Sequence, residues 1–193
     1  MVIEITKYER KINLKVFIDT ALDDLVIVLF DNQAKKIDYK IIKNLKQKSE
    51  FLPIYFNDLL KRNNVNIKEI NEYYINLGPG TFTGSRIALV FARTICQVYE
   101  KASLYTTSTF NLASININKE KNIFIDARGN SYYKAKVKEG KLLSNITIVT
   151  EGENQKIDYD FFINNFANFS FIFKEEKDLL SVQPIYVKKP HIG

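Results

Sequence analysis

Gly78-Pro79-Gly80-Thr81-Phe82-Thr83-Gly84 gathers three of the chain's seven glycines and one of its four prolines into a single run. An apolar stretch, Tyr73 to Leu77, leads into the run and reads as a strand. Another, Arg86 to Tyr99, leaves it and reads as a helix. Strand, tight turn and helix in that order predict an α/β fold. The turn itself has two readings. It can be purely structural. It can also cradle an anion, because free backbone N–H groups and the helix dipole converge on such a turn, with Thr81 or Thr83 as the helix cap. It is not a Walker loop, since no Gly-Lys-Ser/Thr follows. Nor is it G-x-G-x-x-G, because Thr83 takes the last glycine position. On the anion reading the contacts are Gly78, Gly80, Thr81 and Thr83, with Asp19 and Thr20 from an earlier turn.

The helix after the run is apolar almost all round: Ile87, Ala88, Leu89, Val90, Phe91, Ala92, Ile95, Cys96 and Val98, with Arg86 and Arg93 as the exceptions. A helix on one sheet needs a single apolar face, so this one is expected to be buried on two sides, by a further layer or by a partner chain. Gly84, Ala88 and Ala92 recur at spacing four, which would let a second helix approach closely. Before the run, Leu14 to Asp19 and the continuous Leu25 to Phe30 read as a hairpin around Thr20–Asp24, followed by a third strand over Lys36 to Lys43. A helix begins near Ser49, a candidate N-cap, with Pro53 in its first turns. Phe51, Leu52, Tyr55, Phe56, Leu59 and Leu60 form its wide apolar stripe. The first half is therefore β-β-β-α-β-α.

The second half is less regular. Short strands are expected at Leu104 to Thr106, Asn122 to Ala127, Tyr132 to Val137, Ile146 to Val149 and Phe169 to Phe173. Helices are expected over Phe110 to Ile115, capped by Ser108 or Thr109, and over Asp160 to Phe166. Each half holds a hairpin whose turn is flanked by an aspartate, Asp19 or Asp126.

Composition excludes several functions. The 193 residues are 46% hydrophobic and 26% charged, as in an ordinary globular protein, and no stretch approaches the ~18–20 apolar residues that cross a membrane. The first residues, Met1 to Lys11, are too polar for a secretory signal. A single cysteine, Cys96, excludes an internal disulfide and points to a reducing compartment, so a cytoplasmic location is expected. The lone histidine, His191, leaves no ordinary His/Cys zinc site and no well-placed nucleophile–histidine pair. Cys96 sits in the apolar helix and reads as a core thiol. Asp19 and Asp126 end apolar strands, as general bases or magnesium ligands on one reading and as turn caps on the other. The net charge of +6 permits a polyanionic partner, but the lysines are scattered along the sequence.

Several stretches together resemble one family. Gly78 to Arg86 resembles the G-P-G-[ST]-F-T-G-x-R signature of the TsaB (YeaZ) proteins. Asp19-Thr20 is similar to that family's N-terminal I-D-T-S. Ser49-Glu50 with Leu52-Pro53 resembles its H-S-E-x-L-x-P segment. Ile125-Asp126-Ala127-Arg128 with Tyr132 or Tyr133 resembles its I-D-A-R-x-x-x-V-Y, and Pro184 to Lys188 its terminal P-x-Y-x-R. Order and spacing agree from about Asn13 to Lys188. Ala21 replaces the usual serine, and Lys48 stands where the family often has histidine.

The resemblance implies an actin-like ATPase superfamily fold of two ribonuclease-H-like lobes, the second short. Residues 1–12 would be an extension, 13–102 the first lobe and 103–193 the second. It implies a non-catalytic role: a docking subunit for a TsaD-type transferase that forms threonylcarbamoyladenosine in tRNA, at the adenosine beside the anticodon. A TsaE-type ATPase joins that assembly. ATP and metal belong to the partner proteins, tRNA is reached through the complex, and the chain holds no cofactor, metal or catalytic residue of its own. Pairing in the family uses the two first-lobe helices. That places the partner interface on Phe51, Leu52, Tyr55, Leu59, Gly84, Arg86, Ala88, Leu89, Val90, Ala92 and Arg93, a surface that would also support a homodimer of the free chain. The competing readings are an actin-like ATPase or phosphotransferase using Asp19 and the glycine run, and an autonomous tRNA-binding module, which would need a clustered basic face.

Overall fold

The computed structural model describes residues 13–188. The expected extension over residues 1–12 and His191 lie outside the described residues. In chain order the elements are β1 (Leu14–Asp19), β2 (Leu25–Phe30), β3 (Lys36–Ile42), α1 (Lys48–Arg62), β4 (Ile70–Asn76), α2 (Gly84–Val98), β5 (Ser103–Thr107), α3 (Thr109–Ala113), β6 (Lys121–Asp126), β7 (Tyr132–Lys138), β8 (Lys141–Leu142), β9 (Thr147–Val149), α4 (Tyr159–Asn164), α5 (Phe166–Phe169) and β10 (Lys174–Glu176). The first half is the expected β-β-β-α-β-α.

One sheet runs β10-β5-β4-β1-β2-β3, with β1, β4 and β5 parallel and the outer pairings antiparallel. Its central strands β1, β2 and β4 are apolar on both faces, because both are covered. The pleat then divides each run between two cores. Leu25, Ile27 and Leu29 of β2 face α1 and α2. Val26, Val28 and Phe30 face the other way, into a core shared with α3, α4, α5 and the second sheet. That second sheet is β6-β7, with β8 and β9 both pairing β7. The first sheet takes β5 and β10 from beyond residue 102, so the lobe boundary expected from the sequence cuts through hydrogen-bonded strands.

Two sequence expectations need correction. No strand spans Phe169 to Phe173; α5 and a 3-10 turn over Ser170–Ile172 occupy it, and the strand follows as β10. Phe162, Phe166 and Phe169 repeat at spacings of four and three, a helical period that outweighs the strand propensity of phenylalanine. Helix α1 starts one residue before Ser49, on Gln47, without a side-chain cap. Within the chain, α2 buries one of its two apolar faces: Gly84, Ser85, Ala88, Leu89, Ala92 and Cys96. The small residues do permit a close approach, but at Gly84 it is the approach of this helix to its own first hairpin. A β-carbon on Gly84 would lie 2.3 Å from the Thr20 carbonyl oxygen and 2.3 Å from Thr81 Oγ1. No helix among the described residues is long and apolar enough to cross a membrane.

Gly84→Ala tests this packing. In an open helix the change stabilises by about 1 kcal/mol. Here the obstructing atom is backbone, and overpacking of about 1–3 kcal/mol reverses the sign. A lower urea midpoint is expected; an unchanged or higher one contradicts the packing.

Candidate functional site

Three turns meet where the strands of both sheets end. The first follows β1. Asp19, 1% exposed, accepts the Ala21 N–H through Oδ1 at 2.8 Å. Its Oδ2 accepts from Asn76 Nδ2 at 2.9 Å and from the Tyr159 hydroxyl at 2.8 Å. Asn76 in turn bonds Thr109 Oγ1 and accepts the Gly78 N–H. One buried carboxyl thus ties the ends of β1 and β4 to the start of α4. Both its oxygens are engaged by the chain's own donors, which is the turn-cap geometry rather than that of an open base or ligand. Burial raises its pKa above the ordinary aspartate value, against the opposing pull of the Ala21 N–H, Asn76, Tyr159 and Lys48.

The glycine run lies directly on this first turn. Thr81 N–H donates to the Ala21 carbonyl at 2.8 Å. Thr20 Oγ1 donates to the Gly84 carbonyl at 2.7 Å and accepts the Ala88 N–H at 3.1 Å. Gly80 is required as well, since a β-carbon there would meet the Ala21 oxygen at 2.3 Å. The first amides of α2 are already engaged: Gly84 by Thr81 Oγ1, Ser85 by the Thr81 carbonyl, Arg86 by the Thr83 carbonyl. Thr81 therefore does the capping; Thr83 occupies the N-cap position without a side-chain bond. An anion at this turn would have to displace these contacts.

The third turn joins β6 to β7. Asp126 Oδ1 accepts the Arg128 N–H at 2.7 Å, repeating the Asp19 arrangement. The Arg128 guanidinium pairs with Asp23 of the first turn and lies 3.3 Å from Asp126, bridging the two hairpins. Lys48 is buried and donates to the Leu22 carbonyl. Burial lowers its pKa, while Asp19, Asp23 and Asp24 act to raise it.

A C-terminal strap closes the arrangement. Ile185 N–H bonds the Leu77 carbonyl, and Lys188 Nζ donates to the Ala127 and Arg128 carbonyls and Ser131 Oγ. The Arg86 guanidinium sits 3.5 Å from the Phe82 ring centroid and 5.1 Å from that of Tyr186. A cleft of about 330 Å³ remains between Thr81, Phe82, Ser85, Arg128 and Tyr186. Arg93 reaches the Val182 carbonyl at 3.4 Å. Both arginines assigned to the interface therefore make contacts to the strap within the chain. Tyr159 and the strap's anchoring role were not legible in the sequence, because neither lies near its partner along the chain.

The remaining interface candidates divide by exposure. Leu52, Leu59, Gly84, Ala88, Leu89 and Ala92 are buried inside the chain. Phe51 and Tyr55 are half-buried and stack with ring centroids 5.7 Å apart. Val90 is 52% exposed, and so are two residues outside the candidate set, Ile54 at 57% and Val98 at 66%. With Ile87 and Phe91, Val90 and Val98 form a second apolar stripe on α2, at spacings of three, four and seven. Ile54 was detectable in sequence as an isoleucine among the polar positions of α1. Cys96 is buried and its thiol is pushed up to about 12, which keeps it protonated at neutral pH. Among the described residues, no three His, Cys, Asp or Glu side chains gather as they would around a metal ion.

No protein-family model matches the chain. It is 28% identical over 191 residues to uncharacterized protein MG208 of Mycoplasma genitalium, covering 91% of this chain and 95% of that one. The MG208 homolog of Mycoplasma pneumoniae is 26% identical over the same shares. Among solved structures, YeaZ from Pseudomonas aeruginosa matches with a TM-score of 0.60 at 16% identity, over 72% of this chain and 68% of that one. The structure of an uncharacterized protein with similarity to peptidase YeaZ from Pseudomonas aeruginosa matches with a TM-score of 0.68 at 14% identity, over 91% and 100%. At these identities the structural likeness is one of fold. The chain has the expected mixed α/β fold, and that fold is shared with the YeaZ structure.

The Asp19 cluster carries a pH signature. A carboxyl whose pKa is raised on folding binds its proton more tightly in the folded state. Its contribution to stability therefore falls as pH rises from the ordinary value of 3.8 to the higher folded value. Urea midpoints measured across that range should fall for the native chain relative to Asp19→Asn. Parallel pH profiles would contradict the assignment.

Proposed function

We propose that this chain is a non-catalytic docking subunit that supports a TsaD-type transferase in forming threonylcarbamoyladenosine in tRNA, with a TsaE-type ATPase in the same assembly. The observation that carries the reading is the exposure of Val90 and Val98 on α2, beyond a helix face already packed on the core, with Ile54 exposed on the neighbouring α1. Monomeric proteins rarely leave helices apolar on a second face. The likeness of fold to YeaZ and the sequence signatures give this surface its partner. The competing ATPase reading needs Asp19 and the glycine run free to meet a nucleotide, and their atoms are engaged with each other and with Tyr159. On this reading the chain binds neither ATP nor metal and acts in the cytoplasm. Its interface centres on Val90, Ile54, Phe51 and Tyr55, while Leu52, Leu89 and the small residues support these from beneath.

Co-expression with the TsaD-type protein of the same organism, followed by light scattering, tests the proposal. A defined heteromer is expected. Val90→Asp and Ile54→Asp should each weaken it at least about tenfold, roughly 1.4 kcal/mol, without changing the unfolding midpoint. Leu89→Asp should instead unfold the chain. No association, together with magnesium–ATP binding by the chain alone, would replace the docking reading with the enzyme reading.

A further inference from the structure

We propose that the chain carries its own single-stranded RNA surface, formed by a row of lysines on β7 and β8 and the phenylalanine cluster beside it. Strand β7 reads Tyr132-Tyr133-Lys134-Ala135-Lys136-Val137-Lys138. Tyr133, Ala135 and Val137 are buried in the core shared by the sheets. The strand's period of two then puts all three lysines on the opposite, outer face, at intervals of about 6.8 Å. Alternating lysines of one short segment thus become a row in space. The row continues across the β7–β8 pair, where Lys138 lies opposite Lys141. Like charges facing each other across a strand pair are unfavourable for folding, so stability does not account for them.

The row ends at exposed aromatic rings. Lys141 Nζ lies 5.9 Å from the ring centroid of Phe171, which is 54% exposed. Phe171 lies 6.3 Å from Phe169, and Phe169 lies 5.6 Å from Phe161. These rings border an open hollow of about 550 Å³ with Ile115 and Glu139. The basic and aromatic parts are tied together because the Gly140 turn packs on Ile172, the residue after Phe171. Three acids border the surface: Glu139 at the turn, Glu120, 3.7 Å from Lys136, and Glu153 beside Asn122 and Phe124. Lys134, Lys136, Lys138 and Lys141, with Lys121 beside Glu153, outnumber these glutamates and leave the surface positive.

Lysines alone would hold any polyanion, and exposed rings alone any apolar surface. Together they select a chain of negative charges carrying planar groups free to stack. A duplex hides its base faces; a single strand presents them. The choice of RNA over DNA rests on the tRNA-modification reading above, whereas the surface itself does not.

Fluorescence anisotropy of the full chain with a labelled single-stranded RNA of about 16 nucleotides tests the proposal. Binding on the order of 10 μM is expected at low salt, weakening with salt at a log–log slope of about −3 if all four lysines take part. The double variant Lys136→Glu, Lys138→Glu should bind at least about tenfold more weakly, with the slope shallower by about 1.4. Phe171→Ala should lose at least about fivefold while keeping the slope. Native urea midpoints certify that these surface variants are folded. Three results would overturn the proposal: no binding, equal binding of a duplex of the same length, or an unaltered affinity of Phe171→Ala. Tighter binding of DNA of the same sequence would overturn the assignment to RNA. Association of the same variants with the TsaD-type partner is expected to be unchanged, so the docking reading and this one can fail separately.

Discussion

The contact on which the rest of the structure depends is that between the glycine run and the first hairpin turn. Gly80 and Gly84 have no β-carbon, so two backbones approach until carbonyl oxygens of Ala21 and Thr20 occupy the space a side chain would take. Across the junction Thr20 Oγ1 donates to the Gly84 carbonyl and accepts the Ala88 N–H, while Thr81 Oγ1 donates to the Ala21 carbonyl. This contact fixes where α2 starts and hence which of its faces lies on the sheet. Burial of Ala88, Leu89, Ala92 and Cys96, and exposure of Val90 and Val98, follow from that one placement.

The same contact determines what the junction can do. In a turn of this shape, backbone amides and a helix terminus are the groups that would receive an anion. Here those of Thr81, Gly84, Ser85 and Arg86 are paired within the chain. Asp19 is similarly enclosed by Ala21, Asn76 and Tyr159. The polar groups near the strand ends therefore hold the two sheets in register with each other. Arg128 with Asp23, and Lys188 with the Ala127 and Arg128 carbonyls, add outer ties between the same turns. The surface left over is apolar on α1 and α2 and basic on the outer face of the second sheet, beside the phenylalanines of α4, α5 and the 3-10 turn.

Much of the fold was legible because its signals are local. The glycine run, the six-residue apolar run of β2 and the turn aspartates each constrain a few neighbouring residues, and the elements follow from them. What escaped were relations across the chain. The strap of Ile185 and Lys188 touches residues some sixty and a hundred positions away, and the Tyr159 hydroxyl meets a carboxyl from the first strand. Amphipathicity also misled in one respect. The all-round apolar pattern of α2 correctly implied two apolar faces, but could not say which one the chain covers itself. It placed Leu89 and Val90 together at an interface, although adjacent helical positions point about 100° apart. The lysines of β7 were missed for another reason: their alternation is plain in the sequence, but only the burial of Tyr133, Ala135 and Val137 between them puts all three on one outer face.

Strand β10 has a consequence for the order of assembly. It completes the first sheet by pairing with β5, yet some seventy residues separate the two. On a ribosome the strands β1 to β5 and the helices α1 and α2 emerge long before residues 174–176. The segment that carries the helix surface is therefore made before the edge strand and the strap of the sheet behind it. Contacts of such sequence separation form late and slowly. Until residues 174–176 are made, the outer edge of β5 has no strand of this chain to pair with. That edge must be shielded until its own downstream sequence arrives.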